Sequence, residues 1–306
     1  MKSVQDSIKE MGYNEEVNKN LKKNYNAALK NEEFKTLIEK LNIDENILKD
    51  YTSLLEESAQ EYHNCQNCKS ILECKNKMNG YAYLPKISNN ELVFKYKACK
   101  FKKKLDEQTK YLDNINVFGS STYLKDAKMK DIYTNDKNRV KAISWVVKFI
   151  ENYPNNQHQK GLYLYGNFGC GKTYLLSACF NELAKAGYKS TIVFWPEFLR
   201  DLKASFQSDY SEKYEIVKRS PILLIDDIGA EVITPWARDE IVCPLVQYRM
   251  EHKLPTFFTS NLTLDQLKEH LSVTKDGIDI IKAGRIIERI KELTENVELI
   301  SKNLRN

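Results

Sequence analysis

The sequence predicts an α/β fold, with a parallel five-stranded sheet in the second half of the chain behind a small helical unit that carries a cluster of cysteines. From residue 161 onward, short apolar runs alternate with helical segments, which is typical of a parallel sheet covered on both faces. Four of the seven cysteines fall within residues 65–99. We therefore expect an N-terminal unit over residues 1–105, a polar linker over 106–138 and an α/β domain over 139–306.

The predicted strands are buried apolar runs bounded by turn residues or helical segments. In chain order they are LYLY, TIVFW, ILLIDDIG, TFFTSN and VELIS. The segment RVKAISWVVKFIENY has helical periodicity and leads into the first strand, so we expect a helix there.

A glycine-rich loop follows the first strand in the stretch GLYLYGNFGCGKTYLL. Gly166, Gly171, Lys172 and Thr173 match the phosphate-loop pattern G-x-x-x-x-G-K-[ST]. Glycines let the backbone N–H groups face phosphate oxygens, the lysine reaches the β- and γ-phosphates, and the threonine hydroxyl is placed to ligate Mg²⁺. The loop therefore predicts an ATP or GTP site. The expected nucleotide-binding residues are Gly166, Asn167, Phe168, Gly169, Cys170, Gly171, Lys172, Thr173, Tyr174 and Asp226.

Two further strands end in polar residues that complete this prediction. Asp226 and Asp227 follow ILLI, and at the carboxyl end of a parallel strand they lie where ligands bind in such sheets. We expect Asp226 to hold magnesium and Asp227 to orient or deprotonate the attacking water. Asn261, at the end of PTFFTSN, is the candidate that positions this water, and the alternative is that it only caps the next helix.

The cysteine cluster predicts a zinc site. Cys65 and Cys68 form a Cys-x-x-Cys pair, and tetrahedral zinc needs two more soft ligands. Cys74 and Cys99 are the first candidates for these places, and His63, two residues before the pair, is the competitor. Redox-active or incidental cysteines are the alternative interpretation.

Composition and charge limit the classes of protein and of partner that the sequence allows. The formal net charge of +5 permits contact with nucleic acid without requiring it. No apolar run approaches the roughly 18 residues of a membrane span, and the first residues lack the apolar core of a signal peptide. We expect a cytoplasmic protein with no membrane partner. The apolar stripes of residues 32–62 either pack on each other or offer a face to a partner.

Taken together, KGLYLYGNFGCGKTYL, ILLIDDIGAE, PTFFTSN and AGRIIERI resemble the AAA+ helicase loaders of the bacterial primosome, the DnaC/DnaI group, which also includes the IstB transposition helpers. The cysteine unit is similar to that of the DnaI type. The resemblance implies an AAA+ ATPase domain behind a zinc-binding domain that contacts the helicase. By resemblance, Asp227 and Asn261 are catalytic, Arg289 is the arginine finger, and Lys302 or Arg305 is the sensor-2 residue.

The resemblance implies an ATP-dependent loader that places the replicative hexameric DNA helicase on single-stranded DNA during replication initiation or restart. The implied cofactors are ATP, Mg²⁺ and Zn²⁺, and other primosome or initiator proteins are further candidate partners. A homo-oligomer is expected when the helicase is bound. Two alternatives remain, an IstB-like ATPase that assists a transposase and a zinc-dependent DNA-binding regulator. For DNA, Phe194 and Trp195 near Lys203 are candidate contacts, with burial of Trp195 in the core as the other interpretation.

Overall fold

A computed structural model describes residues 13–88, 91–119, 126–204 and 210–304 of the chain. The chain divides after Lys110 into two compact units, Met1–Lys110 and Tyr111–Asn306.

The first unit is helical, with one antiparallel hairpin. Its elements are α1 (Tyr13–Ala28), α2 (Glu32–Leu41), α3 (Glu45–Leu48), a 3₁₀ turn (Lys49–Tyr51), α4 (Thr52–Asn67), a 3₁₀ turn (Ile71–Glu73), β1 (Tyr81–Ser88), β2 (Glu91–Ala98) and α5 (Lys100–Thr109). Asn31 caps α2 by accepting hydrogen bonds from the first-turn N–H groups of Glu33 and Phe34.

The helical stripes of this unit pack on each other. Phe34 and Leu37 of α2 are buried together with Leu48 and Leu55, and the Phe34 ring meets Tyr25 of α1 edge to face at 5.8 Å. The apolar stripes were expected either to pack on each other or to offer a face to a partner. Phe34, Leu37, Leu48 and Leu55 pack on each other.

A 3₁₀ turn (Lys110–Asn114) spans the division, and the second unit contains an α/β sheet. Its further elements are β3 (Ile115–Phe118), two 3₁₀ turns (Met129–Asp131 and Lys137–Arg139), α6 (Val140–Asn152), β4 (Gly161–Tyr165), α7 (Lys172–Lys185), β5 (Ser190–Phe194), α8 (Trp195–Ala204), α9 (Tyr210–Arg219), β6 (Leu223–Asp226), a π-helix (Ala237–Val242), α10 (Cys243–Glu251), β7 (Thr256–Ser260), α11 (Leu264–Ser272), the short strands β8 (Val273–Thr274) and β9 (Gly277–Ile278), α12 (Ile280–Leu293) and β10 (Thr294–Glu298).

The large sheet has the order β10-β4-β7-β6-β5-β3, and every neighbouring pair is parallel. The parallel α/β fold is therefore confirmed, but the prediction of five strands is wrong. The sixth strand, β3, lies within residues 106–138, where a linker was expected, and pairs with β5 at the sheet edge. The expected linker is thus partly built into the sheet, and Ala127 and Ile132, farther along it, are buried in the core of the second unit.

Alternating side chains of the strands face two separate cores. Leu162 and Leu164 of β4 pack with residues of α6 and α7, whereas Tyr163 packs on the other face with α8, α10, α11 and α12. A sheet buried on both faces explains why its strands are continuous apolar runs. None of the helices in the described ranges has the length and apolar character that a membrane span requires.

Candidate functional site

The phosphate loop joins the end of β4 to the start of α7. Gly166 and Gly171 have φ of 148° and 85°, which is backbone that residues with a Cβ rarely adopt. Lys172, the first residue of α7, is buried, and its ammonium donates to Gly166 O at 3.0 Å, to Asn167 O at 2.8 Å and to Asn261 Oδ1 at 2.8 Å. The lysine cation is thus held inside the loop by three oxygen acceptors.

Asp226 is the buried acid at the end of β6. Its Oδ1 accepts hydrogen bonds from the hydroxyls of Thr173 at 2.8 Å and Thr259 at 2.6 Å. Burial raises the pKa of Asp226, and these two hydrogen bonds oppose part of that rise. The carboxylate and the Thr173 hydroxyl are adjacent oxygen donors, which is the ligand chemistry that Mg²⁺ prefers.

Asp227 and Asn261 meet at the same edge of the sheet. Asp227 has a left-handed backbone with φ of 60°, and its N–H donates to Thr259 Oγ1 at 2.8 Å. Asn261 Nδ2 donates to Asp227 Oδ1 at 3.3 Å, while its Oδ1 accepts from Lys172. The structure therefore brings the phosphate-loop lysine, both acids and Asn261 into one hydrogen-bonded group.

This group opens into a cavity of about 880 Å³. The described residues that line it are Asp131, Tyr133, Arg139, Phe168, Gly169, Gly171, Lys172, Thr173, Tyr174, Phe194, Asp226, Asp227, Thr259, Asn261 and Leu304. Most of the expected site residues are in this set. Gly166, Asn167 and Cys170 belong to the loop but are not among the lining residues, and the Asn167 side chain pairs with the backbone of Ser301 at 2.6 and 3.1 Å.

Five residues of this cavity, Asp131, Tyr133, Arg139, Thr259 and Leu304, were not assigned a role from the sequence. Thr259 lies two residues before Asn261, and because side chains alternate along a strand, that spacing was the available signal. Arg139 is fully buried and donates to Cys170 O and, at 2.8 Å, to Tyr133 O, so it joins the loop to the segment before α6. Tyr133 and Leu304 reach the cavity from segments distant in sequence, without any motif.

The arginines of α12 lie away from this cavity. Arg289 is half-buried, and its Nη1 donates to Cys243 Sγ at 2.9 Å, while Arg285 is exposed. Neither residue lines the nucleotide cavity of its own chain. Of the two sensor-2 candidates, Lys302 has its ammonium 4.5 Å from the ring centre of Tyr133, and Arg305 lies outside the described residues.

Trp195 is not available to stack on a base. Its side chain is 0% exposed and packs with Phe198 in the core, so the interpretation that buries it is correct. Phe194, one residue earlier, lines the nucleotide cavity instead.

The four clustered cysteines line a second cavity, of about 390 Å³, within the first unit. Asn76 Nδ2 donates to Cys65 Sγ at 3.3 Å, and the backbone N–H groups of Gly80 and Lys102 donate to Cys74 and Cys99 at 3.4 Å. His63 instead lies 3.4 Å from Glu33 and is not among the lining residues.

Burial raises the pKa of Cys65, and the charges of Cys74, Cys99 and Cys68 raise it further, against the hydrogen bond from Asn76. Four cysteine sulfur atoms around one cavity provide the soft ligands that a tetrahedral zinc site uses. Across the described ranges, however, no cluster of three or more histidine, cysteine or acidic side chains has the arrangement of a metal site. Zinc therefore stays a prediction.

Known proteins share this architecture. The chain is 37% identical over 266 residues to the replicative helicase loader DnaI of Bacillus subtilis (strain 168), a match that covers 86% of each chain. A crystal structure of DnaI has 41% identity and a TM-score of 0.57, and the match covers 64% of this chain and all of the other. The DnaC helicase loader, at 22% identity and a TM-score of 0.50 over 58% of this chain and 99% of the other, is similar in fold. A family model described as AFG1-like ATPase matches residues 97–212.

The parallel sheet, the phosphate loop and the paired acids define a P-loop ATPase of the AAA+ class. Within that class, the extent of the match to the Bacillus subtilis protein shows that the chain belongs to the DnaI family of replicative helicase loaders.

Proposed function

We propose that this chain is an ATP-dependent loader that places the replicative DNA helicase on single-stranded DNA during replication initiation or restart. The observation that carries the proposal is the 37% identity to a replicative helicase loader over 86% of both chains. That match is too long to lie within the second unit alone, because 266 aligned residues exceed the span of Tyr111–Asn306. This extent favours a loader over an IstB-like transposase helper or a zinc-dependent regulator.

In the proposed mechanism, ATP binds in the 880 Å³ cavity with its phosphates on the loop. Lys172 exchanges its contacts with Asn167 and Asn261 for phosphate oxygens, and Thr173 and Asp226 are the residues that would hold Mg²⁺, whose charge offsets that of the phosphates. Asp227 orients the attacking water, and Asn261 holds the Asp227 carboxylate in place.

A substitution at Lys172 tests the nucleotide site and its coupling to loading. We expect Lys172→Ala to lose most ATP binding and all helicase loading, because the loop then lacks its one side-chain cation for the phosphates. Lys185→Ala is the matched control, since Lys185 lies on the same helix in an exposed ion pair with Glu182. ATP titration and a loading assay with the hexameric helicase of the same organism give the readouts, and a folded Lys172→Ala variant that still loads helicase would refute the proposal.

We further propose that Cys65, Cys68, Cys74 and Cys99 bind one Zn²⁺. Support comes from the shared cavity and from the N–H and amide donors that approach three of the sulfur atoms. Such donors stabilise the thiolate form that zinc requires. The unit held by this zinc is the proposed helicase-binding part of the chain.

Single-stranded DNA and a second copy of the chain are the other proposed partners. Arg289 supports assembly, because it is a cation on a well-packed helix that does not line its own nucleotide cavity. In an assembled ring it would act as a finger that reaches the γ-phosphate held by a neighbour.

A further inference from the structure

Residues 299–304, here called the strap, follow β10 and lie against the phosphate loop. Leu299 N donates to Tyr165 O at 2.7 Å, which extends the pairing of β10 with β4, and Leu304 N donates to Gly169 O at 2.9 Å. The strap and the phosphate loop approach each other closely. A Cβ on Gly166 would come within 2.0 Å of Leu299 O, and one on Gly169 within 2.1 Å of Asn303 Oδ1. The strap backbone therefore requires glycine at position 166, whereas at position 169 the contact is with the end of the Asn303 side chain and glycine is favoured by its φ of 72°.

Ser301 joins the strap to two walls of the nucleotide cavity. Its backbone N–H and C=O pair with the side-chain amide of Asn167 in the phosphate loop, at 3.1 and 2.6 Å. Its hydroxyl donates to Asp136 Oδ2 at 2.6 Å, and Asp136 lies between Tyr133 and Arg139, two residues that line the cavity. Ser301 is 6% exposed, so water has little access to these three hydrogen bonds.

Two more contacts tie the strap to the same walls. The Lys302 ammonium lies 4.5 Å from the ring centre of Tyr133, and Leu304 lines the cavity itself. The hydrogen bond from the Ser301 hydroxyl is the main cause that lowers the pKa of Asp136, which agrees with a contact between the strap and this segment.

We propose that the strap is part of the nucleoside triphosphate site and that Ser301 is its positioning residue. It holds the phosphate loop and the Tyr133–Arg139 wall at the spacing that the ligand needs, and Leu304 adds an apolar contact. This inference rests on the proposed nucleotide site. Since Ser301 touches neither Lys172, Asp226 nor Asp227, it contributes to binding and not to the chemical step.

The first test is Ser301→Ala, which removes the bond to Asp136 and leaves the backbone in place. We expect the Kd and KM for ATP to rise about tenfold, equivalent to about 1.4 kcal/mol, while kcat at saturating ATP stays near that of the unmodified chain. A rise in KM alone indicates lost binding that is equal in the ground and transition states. Ser301→Thr keeps the hydroxyl and should restore the Kd. Ile300→Ala is the matched control, because Ile300 is in the strap and 50% exposed.

A chain that ends at residue 300 provides the second test. It keeps the buried Leu299 but loses Ser301, Leu304 and both sensor-2 candidates, Lys302 and Arg305. We therefore expect a loss of ATP affinity larger than that of Ser301→Ala, with an unchanged circular dichroism spectrum. Equal ATP affinity in Ser301→Ala, in the shortened chain and in the unmodified protein would overturn the strap proposal. If Lys172→Ala also bound ATP normally, the nucleotide site itself would be refuted, so the two failures are distinguishable.

Discussion

At the scale of single residues, the site depends on one buried hydroxyl. Thr259 is 2% exposed and has two roles, because its Oγ1 donates to Asp226 Oδ1 at 2.6 Å and accepts from Asp227 N at 2.8 Å. It therefore fixes both acids relative to each other. Without it, a buried carboxylate would lose one of its two described threonine donors, and the backbone N–H of Asp227 would lose its acceptor.

We predict that Thr259→Val lowers the rate of ATP hydrolysis roughly 10- to 100-fold, since hydrogen bonds to charged groups contribute about 1.5–3 kcal/mol. ATP affinity should change little, because Thr259 is not part of the phosphate loop. Steady-state hydrolysis beside an ATP titration measures the two effects.

Thr259→Ser is the control for this prediction, because it keeps the hydroxyl and loses only a methyl group. It should retain most of the hydrolysis rate. A serine variant as slow as the valine variant would show that packing of the methyl group, and not the hydrogen bonds, sets the rate.

The sequence predicted the residues of the nucleotide site that lie in contiguous motifs. It did not predict the residues that only the folded chain brings to the cavity. Lys172, Thr173 and Asp226 follow from the phosphate loop and from an apolar strand that ends in acids. Arg139 and Leu304 reach the same cavity from positions 165 residues apart, through packing and main-chain contacts that no local pattern encodes.

At the scale of elements, β3 was not predicted because its sequence carries no local strand pattern. β3 has only four residues, lies at the sheet edge and is bordered by polar segments, so it lacks the continuous apolar run of the central strands. Its partner, β5, is 75 positions further along the chain. The four central strands were predictable because burial on both faces forces their composition.

The zinc proposal belongs to this scale, because the four cysteines come from three places in the first unit. Cys65 lies in α4, Cys68 is its C-cap, Cys74 follows a 3₁₀ turn and Cys99 is the N-cap of α5. We predict that removal of the metal with a chelator lowers the unfolding temperature of this unit and leaves ATP binding by the second unit intact, since the ligands tie α4 to α5.

Metal content, thermal unfolding and ATP titration of the full chain check this prediction. Cys74→Ser and Cys99→Ser should each lose zinc, whereas His63→Gln is the matched control and should retain one zinc per chain, because His63 does not line the cysteine cavity. If His63→Gln lost its zinc and Cys74→Ser retained it, the fourth ligand would be His63 and not Cys74.

At the scale of the whole molecule, a single chain contains the phosphate loop and the acids, but its candidate finger lies elsewhere. Arg289 is anchored on α12 by its contact with Cys243, and α12 packs into the core through Ile286, Ile287 and Ile290. A rigidly held arginine outside its own cavity is the arrangement expected for a residue that completes a neighbour's site.

We predict that Arg289→Ala binds ATP with near-normal affinity but hydrolyses it on the order of 10³-fold more slowly under assembling conditions, because only the assembled site uses the finger. Lys291→Ala is the matched control on the same helix, in an exposed ion pair with Glu288. If Arg289 were only structural, its loss would lower the unfolding temperature and ATP affinity together.

Mixing two inactive variants tests whether the finger acts between subunits. The Arg289→Ala subunit has an intact phosphate loop, and the Lys172→Ala subunit has an intact Arg289. With helicase present to promote assembly, some interfaces in the mixture combine both sound parts, so hydrolysis should recover to a fraction of that of the unmodified protein. Each variant alone gives the baseline, and a mixture of Arg289→Ala with a double variant at Lys172 and Arg289 must show no recovery. Baseline hydrolysis in the first mixture, with assembly confirmed by light scattering, would exclude a finger that acts between subunits.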